Sequence, residues 1–588
     1  MSIKKICLDK SDRSIEDNKQ ILGKACKNSG GRIIAALCGI EAKTKFIKNR
    51  SIENGGLLLA LPALLANGLM DSLEKFIFKK GFYRIQDIMF TIAFMCLTRI
   101  KNINQLANIP PGEWGALLGI DRIPEKDTIK EKLDFLSHDK NKNILNNWII
   151  ERSSQWMEEN EDSVGHFFID GHVRSYYGKQ KLPRRYVPRQ RLCLRGMTDY
   201  WVNDSTGLPF FVMTNTFSKG LLKVMKKEII PKLLNETPNL KSTEELKNNP
   251  KKPYKFLLIF DKEGYSMSWS KELWETERIA TITYHKYPEK NWDEEDFIEK
   301  KIELPFGVVQ KIKLAEKIQY NKKYKFEYRE IRELTETGHQ VSVMGTNFID
   351  DMQDVYGFQD NRTSQENFFR YARQDYNIDT LNSNEKISPD DTERVVNPVF
   401  RELEKQLRTD VSKLARRIVK DRKLVLKDNH TEDDSKKYEE EKGVLRKEIE
   451  DFEFSIAEIK EKKSKTEHYI TFGELPEEHK FMQFHGGRKK IIDIIKMISY
   501  RAETAMANII LPFLTQFDQD TAKSTIKSIF QTPANIIPDY NKNILTIELH
   551  YLSTHKKDKI IQELMNVLNE TEFCFPGTNL ILFYKFVS

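Results

Sequence analysis

Two short apolar runs stop on an aspartate. His166-Phe167-Phe168-Ile169 ends at Asp170, and Phe256-Leu257-Leu258-Ile259-Phe260 ends at Asp261. Runs of four or five apolar residues suit strands buried on both faces. A chain with two such strands needs a sheet with cover on each side. Each aspartate then stands where its strand reaches the sheet edge. A third acid, Glu366, lies in a helical stretch from Arg362 to Arg370. Carboxylates at the ends of core elements suit a hard divalent cation, which takes oxygen ligands. That combination points to phosphodiester chemistry on nucleic acid.

The surrounding pattern is mixed α/β. Strands are expected at Gly165–Ile169, Cys193–Asn203, Leu208–Met213, Phe256–Phe260, Ala280–Tyr284 and Gln340–Gly345. Helices are expected at Ser218–Leu234, Ser268–Arg278 and Thr363–Tyr376. Three early strands followed by alternating helix and strand are the order of an RNase H-like mixed sheet. The expected catalytic domain is therefore residues 161–285 plus 340–395. Residues 286–339 are β-rich and read as an inserted β-subdomain.

The remaining segments have their own character. Residues 1–54 are polar. Residues 55–160 read as a helical domain with proline turns at Pro110-Pro111-Gly112 and near Pro124. This is compatible with a helix-turn-helix DNA reader or with a plain helical bundle. Residues 396–470 interleave basic and acidic side chains, with Leu403, Leu407, Val411 and Leu414 at helical spacing. They read as a helical hairpin or coiled coil broken near Lys427-Asp428-Asn429-His430, either a solvated spacer or a dimer contact. Residues 471–588 read as a small α/β region whose amphipathic helix spans Ile491–Leu511.

Composition narrows the partner. The formal net charge of +8 favours an anionic partner. The six cysteines are scattered without a CxxC pair, which argues against a disulfide frame or zinc site. No apolar stretch is long enough to span a bilayer, and no GxxxxGK phosphate loop is present. A soluble cytoplasmic, nucleoid-associated protein without a membrane partner is expected.

Basic residues mark an expected nucleic-acid track. Between Gly171 and Thr198 lie Arg174, Lys179, Lys181, Arg184, Arg185, Arg189, Arg191 and Arg195, with no acid among them and with Tyr176, Tyr177 and Tyr186 interleaved. Charge serves the phosphate backbone and rings serve unstacked bases; a solvated basic loop is the plainer alternative. His172, two residues past Asp170, is a candidate phosphate or metal contact, or a structural histidine. Arg362, Glu366, Arg370 and Arg373 fall near one helix face, where the arginines would hold phosphate beside the carboxylate. Trp292, with Trp269, Trp274, Tyr284 and His285, is a candidate to hold a flipped base or to pack in a core.

Three segments carry a family resemblance: Phe168-Ile169-Asp170-Gly171-His172-Val173-Arg174, Ile259-Phe260-Asp261-Lys262-Glu263-Gly264-Tyr265, and Arg362-Thr363-Ser364-Gln365-Glu366-Asn367-Phe368-Phe369-Arg370-Tyr371. With them the chain resembles, over about residues 55–588, the DDE transposases of bacterial insertion sequences, of the IS4-like type with a β insertion before the Glu. That family carries a Tyr-x2-Arg-x3-Glu-x6-Lys signature. Here Arg362 and Glu366 match, Arg373 replaces the lysine, and Gln359 stands at the tyrosine position, with Tyr356 nearby. The resemblance implies catalytic and metal-binding roles for Asp170, Asp261 and Glu366, with two Mg²⁺ or Mn²⁺ ions. It implies strand cleavage at the ends of an element and transfer of the 3′-hydroxyl to target DNA. The expected partners are double-stranded DNA (terminal inverted repeats and target) and a second copy of the chain in a synaptic homodimer. Two other readings stay open: an RNase H-like nuclease without strand transfer, and a non-catalytic DNA-binding relative.

Overall fold

The computed structural model describes residues 38–587 except 39, 79–80, 160–164, 180, 188–189, 217–219, 289, 305–307, 361, 380–385, 426–430, 482, 485, 515–517 and 553. Most of the 1–54 segment and the expected hairpin break at 427–430 lie outside the described residues. The chain forms two compact units. The first holds residues up to 175, 185–384 and 485–588; the second holds 176–184 and 385–484.

Chain order gives β1 (Asn49–Ile52), β2 (His166–Ser175), β3 (Arg184–Val187), β4 (Leu192–Asn203), β5 (Pro209–Thr216), β6 (Leu257–Phe260) and β7 (Ala280–Tyr284). There follow β8 (Ile298–Leu304), β9 (Val308–Asn321), β10 (Phe326–Leu334) and β11 (Gln340–Gly345), and in the second unit the short β12 (Lys386–Ile387), β13 (Arg394–Val396), β14 (Tyr469–Thr471) and β15 (Gln483–Phe484). A ten-stranded sheet dominates the first unit, in the order β3-β4-β2-β6-β7-β11-β10-β9-β8, with β5 also paired to β4. β2 runs antiparallel to β4 and parallel to β6, and β6 runs parallel to β7.

Alternation along β2 and β6 explains the short apolar runs. Phe168, Leu257 and Ile259 enter one hydrophobic cluster, while Phe167, Ile169, Leu258 and Phe260 enter the other. All seven are fully buried. Fully burying each such side chain contributes roughly 1.5–3 kcal/mol.

The β-rich segment before Glu366 differs from the expected separate subdomain. β11 pairs with β7, β10 with β11, β9 with β10 and β8 with β9. The insertion therefore continues the central sheet. An open edge at β7 would leave its backbone groups unpaired; the added meander satisfies them.

The N-terminal helices and the C-terminal region also differ from the expected separate domains. β1 pairs with β16 (Ala534–Asp539), which pairs with β17 (Ile544–Leu549) and thereby with β18 (Ile581–Phe586). The long helix Gly487–Ile510 packs against helices Leu61–Ala66, Ile85–Leu97 and Lys126–Ser137. It is buried nearly all round, and the expected amphipathic pattern gives way to buried charges held in pairs. Lys489 reaches Asp493 at 2.6 Å, and Glu503 anchors a second network.

That network fixes the far end of helix Arg362–Gln374. Arg99 donates to Glu503 and to Tyr371 (2.6 Å), and its Nε pairs with Asp375 at 3.0 Å. Tyr371 and Tyr376 both donate to Glu503, at 3.0 and 2.6 Å. Glu503 is fully buried, so its charge is tolerated only with these partners. Glu503→Gln is expected to cost about 3 kcal/mol, because Arg99 loses a buried counter-charge. Thermal denaturation checks this: a melting temperature equal to that of the wild type would remove the network's structural role.

Candidate active site

The site begins with register. Ile169 on β2 sits beside Phe260 on β6 in the parallel ladder. The next residues are Asp170 and Asp261, so the two aspartates leave neighbouring strands side by side. Their surroundings then diverge. β6 ends, while β2 continues to Ser175, held by antiparallel pairing with β4 through Ser175 and Gly196. Asp170 thus sits inside a strand and does not close one, contrary to the sequence expectation. The β4 partner supplies the hydrogen bonds that an ending strand would lack. Asp170 stands at the step where the sheet loses its parallel neighbour.

Asp261 turns the chain. Its carboxylate accepts the Glu263 N–H at 2.7 Å, capping the short turn Lys262–Gly264. Its carbonyl accepts the Thr283 hydroxyl at 3.1 Å, tying the turn to β7.

Glu366 is delivered by helix Arg362–Gln374. Gln365, buried beneath that helix, donates to the carbonyls of Phe168 (3.2 Å) and Trp201 (3.4 Å) and to Asn203 Oδ1 (2.9 Å). Phe368 packs on Trp201 with ring centroids 5.2 Å apart. The β4–β5 turn meets the start of the helix: Ser364 donates to the Ser205 carbonyl at 3.1 Å. Gly207 has φ +87°, and a Cβ there would lie 2.7 Å from the Ser364 carbonyl, so this approach requires glycine. Glu366 itself faces solvent on the next turn.

The electrostatics tie the three acids together. The Asp170 carboxyl is pushed up to about 6, first by burial, then by the like charges of Asp261 and Glu366; the Arg362 guanidinium opposes the shift. Arg362 lies 3.9 Å from Asp170 Oδ2, and its buried Nε has no hydrogen-bond partner among the described residues. Among the described residues no three His, Cys, Asp or Glu side chains close around one point. The acids are within electrostatic reach of one another without forming a finished cage. An oxygen-only donor set of three carboxylates, with Arg362 opposing their charge, fits a hard divalent cation.

Tyr200 and Glu263 also belong to this neighbourhood, and the sequence reading missed them. Burial raises the Tyr200 phenol, followed by the charge of Glu263; Asp170 and Asp261 add to the shift and Arg185 opposes it. The available signal was Gly171, directly opposite Tyr200 in the ladder. A Cβ at Gly171 would lie 2.9 Å from the Tyr200 ring.

The other expected site residues scatter. Arg174 requires correction: its guanidinium is buried and bound to both Asp199 oxygens, at 2.6 and 3.1 Å, with Lys489 3.5 Å from Asp199. It braces the sheet against helix Gly487–Ile510 and is not offered to a ligand. His172 pairs with Asp379 and stacks on Phe369 at 5.5 Å, a structural arrangement. Arg185 lies within electrostatic reach of Tyr200. Arg191, in the turn just before β4, is exposed, and Arg195, in β4, is half-buried. Lys179, Lys181 and Arg184 belong to the second unit, where Lys181 donates to the Glu478 carbonyl at 3.1 Å. Arg189 lies outside the described residues.

On the helix, Arg370 is exposed and pairs with Asp520 at 3.2 Å, while Arg373 Nε donates to the Phe369 carbonyl at 3.0 Å. Gln359 is buried, and neither of its amide atoms has a partner among the described residues. Trp292 is clasped by Gln340 at both its N–H (2.9 Å) and its carbonyl (2.7 Å). Its ring lies between Arg332 (4.3 Å) and Lys317 (4.8 Å).

The chain matches the model of the Transposase_29 family, described as a transposase protein, over residues 23–588. It belongs to that family of DNA-processing enzymes. A search of curated proteins gave no match. No described helix is long and apolar enough to cross a membrane.

The raised Asp170 carboxyl makes a linkage prediction. A carboxyl raised on folding contributes stability below its unfolded value near 3.8, and that contribution is lost as pH rises through about 6. Without divalent ions, Asp170→Asn is therefore expected to melt above the wild type at pH 8, with the gap closing towards pH 4. Added Mg²⁺ is expected to raise the melting temperature of the wild type and to leave that of Asp170→Asn nearly unchanged. Parallel thermal melts across pH, with Mg²⁺ and with EDTA, measure both.

Proposed function

We propose that this protein is a DDE transposase of the IS4-like type. In this reading it cleaves DNA at the ends of an insertion sequence and transfers the 3′-hydroxyl to target DNA. One observation carries the proposal: the parallel ladder sets Asp170 beside Asp261, and the docked helix brings Glu366 close enough to shift Asp170. The strand arrangement supports it as well. Read as β5-β4-β2-β6-β7, with two antiparallel steps and then two parallel ones, it matches the order expected of an RNase H-like sheet.

Asp170, Asp261 and Glu366 would hold two Mg²⁺ or Mn²⁺ ions. When bound, such ions supply Lewis-acid stabilisation of the phosphoryl oxygens and acidify a water or hydroxyl nucleophile. The chain's own residues prepare the site. Arg362 offsets the charge of the carboxylates, and its buried Nε–H, unpartnered among the described residues, is available to an anionic ligand. Gln365 and the β4–β5 turn hold the Glu366 helix against the sheet. Tyr200, kept protonated by burial and by nearby acids, remains a neutral hydroxyl donor. Arg185 and Arg362 supply positive charge for the DNA backbone. A homodimer is the assembly that would join two element ends.

Purified protein with Mg²⁺ should nick DNA carrying the element's terminal repeats. Asp261→Ala should lower cleavage on the order of 10³-fold or more, the equivalent of several kcal/mol, while binding is retained. Cleavage by Asp261→Ala at the wild-type rate would refute the assignment. Pre-cut ends in the same assay separate a transposase, which joins them to target DNA, from a nuclease, which does not.

A further inference from the structure

The second unit carries a surface that the site does not use. Two long helices, Pro398–Lys423 and Glu432–Lys465, form an antiparallel hairpin. Arg417 pairs with Glu448 at 2.6 Å, Lys463 lies 3.8 Å from Glu404, and Ser455 donates to Asp410 at 2.9 Å. Leu403, Leu407, Leu414 and Ile418 of the first helix turn towards Leu445, Ile456 and Ile459 of the second.

Opposite that apolar seam the first helix is basic. Arg401, Lys405, Arg408, Arg416, Lys420 and Lys423 fall at offsets 0, 4, 7, 15, 19 and 22, which is one helical face. All six are exposed. No residue of this helix is buried, so its outer face has no cover among the described residues. The helix holds nine basic and four acidic residues. Its partner holds nine basic and twelve acidic, so the two outer faces differ in sign. Among the described residues the stripe is softened by weak surface pairs, Lys405 with Glu402 at 3.4 Å and Arg408 with Glu404 at 3.1 Å.

We propose that this basic face docks on the phosphate backbone of duplex DNA. Charge and length both fit. The stripe spans about 33 Å at 1.5 Å per residue, close to one turn of B-DNA at roughly 34 Å. A straight row of flexible lysines and arginines contacts phosphates without reading bases, so the surface adds affinity and not sequence preference. The acidic outer face of the second helix repels a second duplex and gives the hairpin one DNA-facing side. The proposal rests on the DNA-processing reading above.

The test uses the full chain with the six stripe residues changed to Gln, and with Glu450→Gln, Glu453→Gln and Glu461→Gln together as the opposite-face control. Fluorescence anisotropy with duplex DNA is followed across salt. The stripe variant should bind at least about tenfold more weakly at low salt. Its salt slope should fall by about 0.9 for each phosphate no longer neutralised, in total by at least about 3. The control should bind as the wild type does, and both variants should melt normally because every changed residue is exposed. An unchanged affinity and slope in the stripe variant would overturn the proposal. So would a stripe-dependent self-association without DNA, which would assign the face to a second copy. Wild-type nicking is measured in parallel. A wild type that binds DNA but does not cut sinks the carboxylate reading alone, and a cutting wild type with an unaffected stripe variant sinks the hairpin alone.

Discussion

The candidate chemistry depends on four residue pairs of parallel β-ladder. His166 to Ile169 lie beside Leu257 to Phe260, and the register admits no slip. A shift of one residue would turn every core side chain of β6 to the opposite face and carry Asp261 away from Asp170. The apolar side chains on both faces therefore do more than stabilise the sheet. Their burial enforces the alignment that crowds two carboxylates together. Burial, and after it the like charges of Asp261 and Glu366, raises the Asp170 carboxyl, and the core carries that cost. Perturbed carboxyls of this kind cluster at functional sites.

Much of this was legible in the sequence because the elements are local. β6 and β7, together with the helix at Met267–Glu277 and the Glu366 helix, follow their apolar and turn patterns to within a residue or two. The continuation of β2 beyond Asp170 was not legible. It depends on β4, a non-local partner, and residues 171–175 carry glycine, histidine and arginine in place of an apolar run. Arg174 was misread for a related reason. An arginine in a basic segment reads as surface, and only the fold shows Asp199 opposite it. Tyr200 escaped notice because its role comes from the ring filling the space above Gly171, a fact of register that local composition does not carry.

The division into units was the least legible feature. Composition separates a helical beginning, a charged middle and an α/β end. The structure instead folds the beginning and the end around one core and leaves the middle as its own unit. Buried charges mark the joins. Arg99, Glu503, Tyr371 and Tyr376 connect three segments distant in sequence, and each is indifferent or unfavourable when read alone.

The pairing of β1 with β16, together with the bond from Tyr584 to the Leu58 carbonyl at 3.0 Å, has a consequence for how the molecule is made. Contacts between residues so far apart in sequence form late, after a large loss of loop entropy. During synthesis the early helices must wait, with apolar surface uncovered, until β16–β18 emerge from the ribosome. A chain lacking β16–β18 would therefore leave the first-made helices with their apolar surface uncovered.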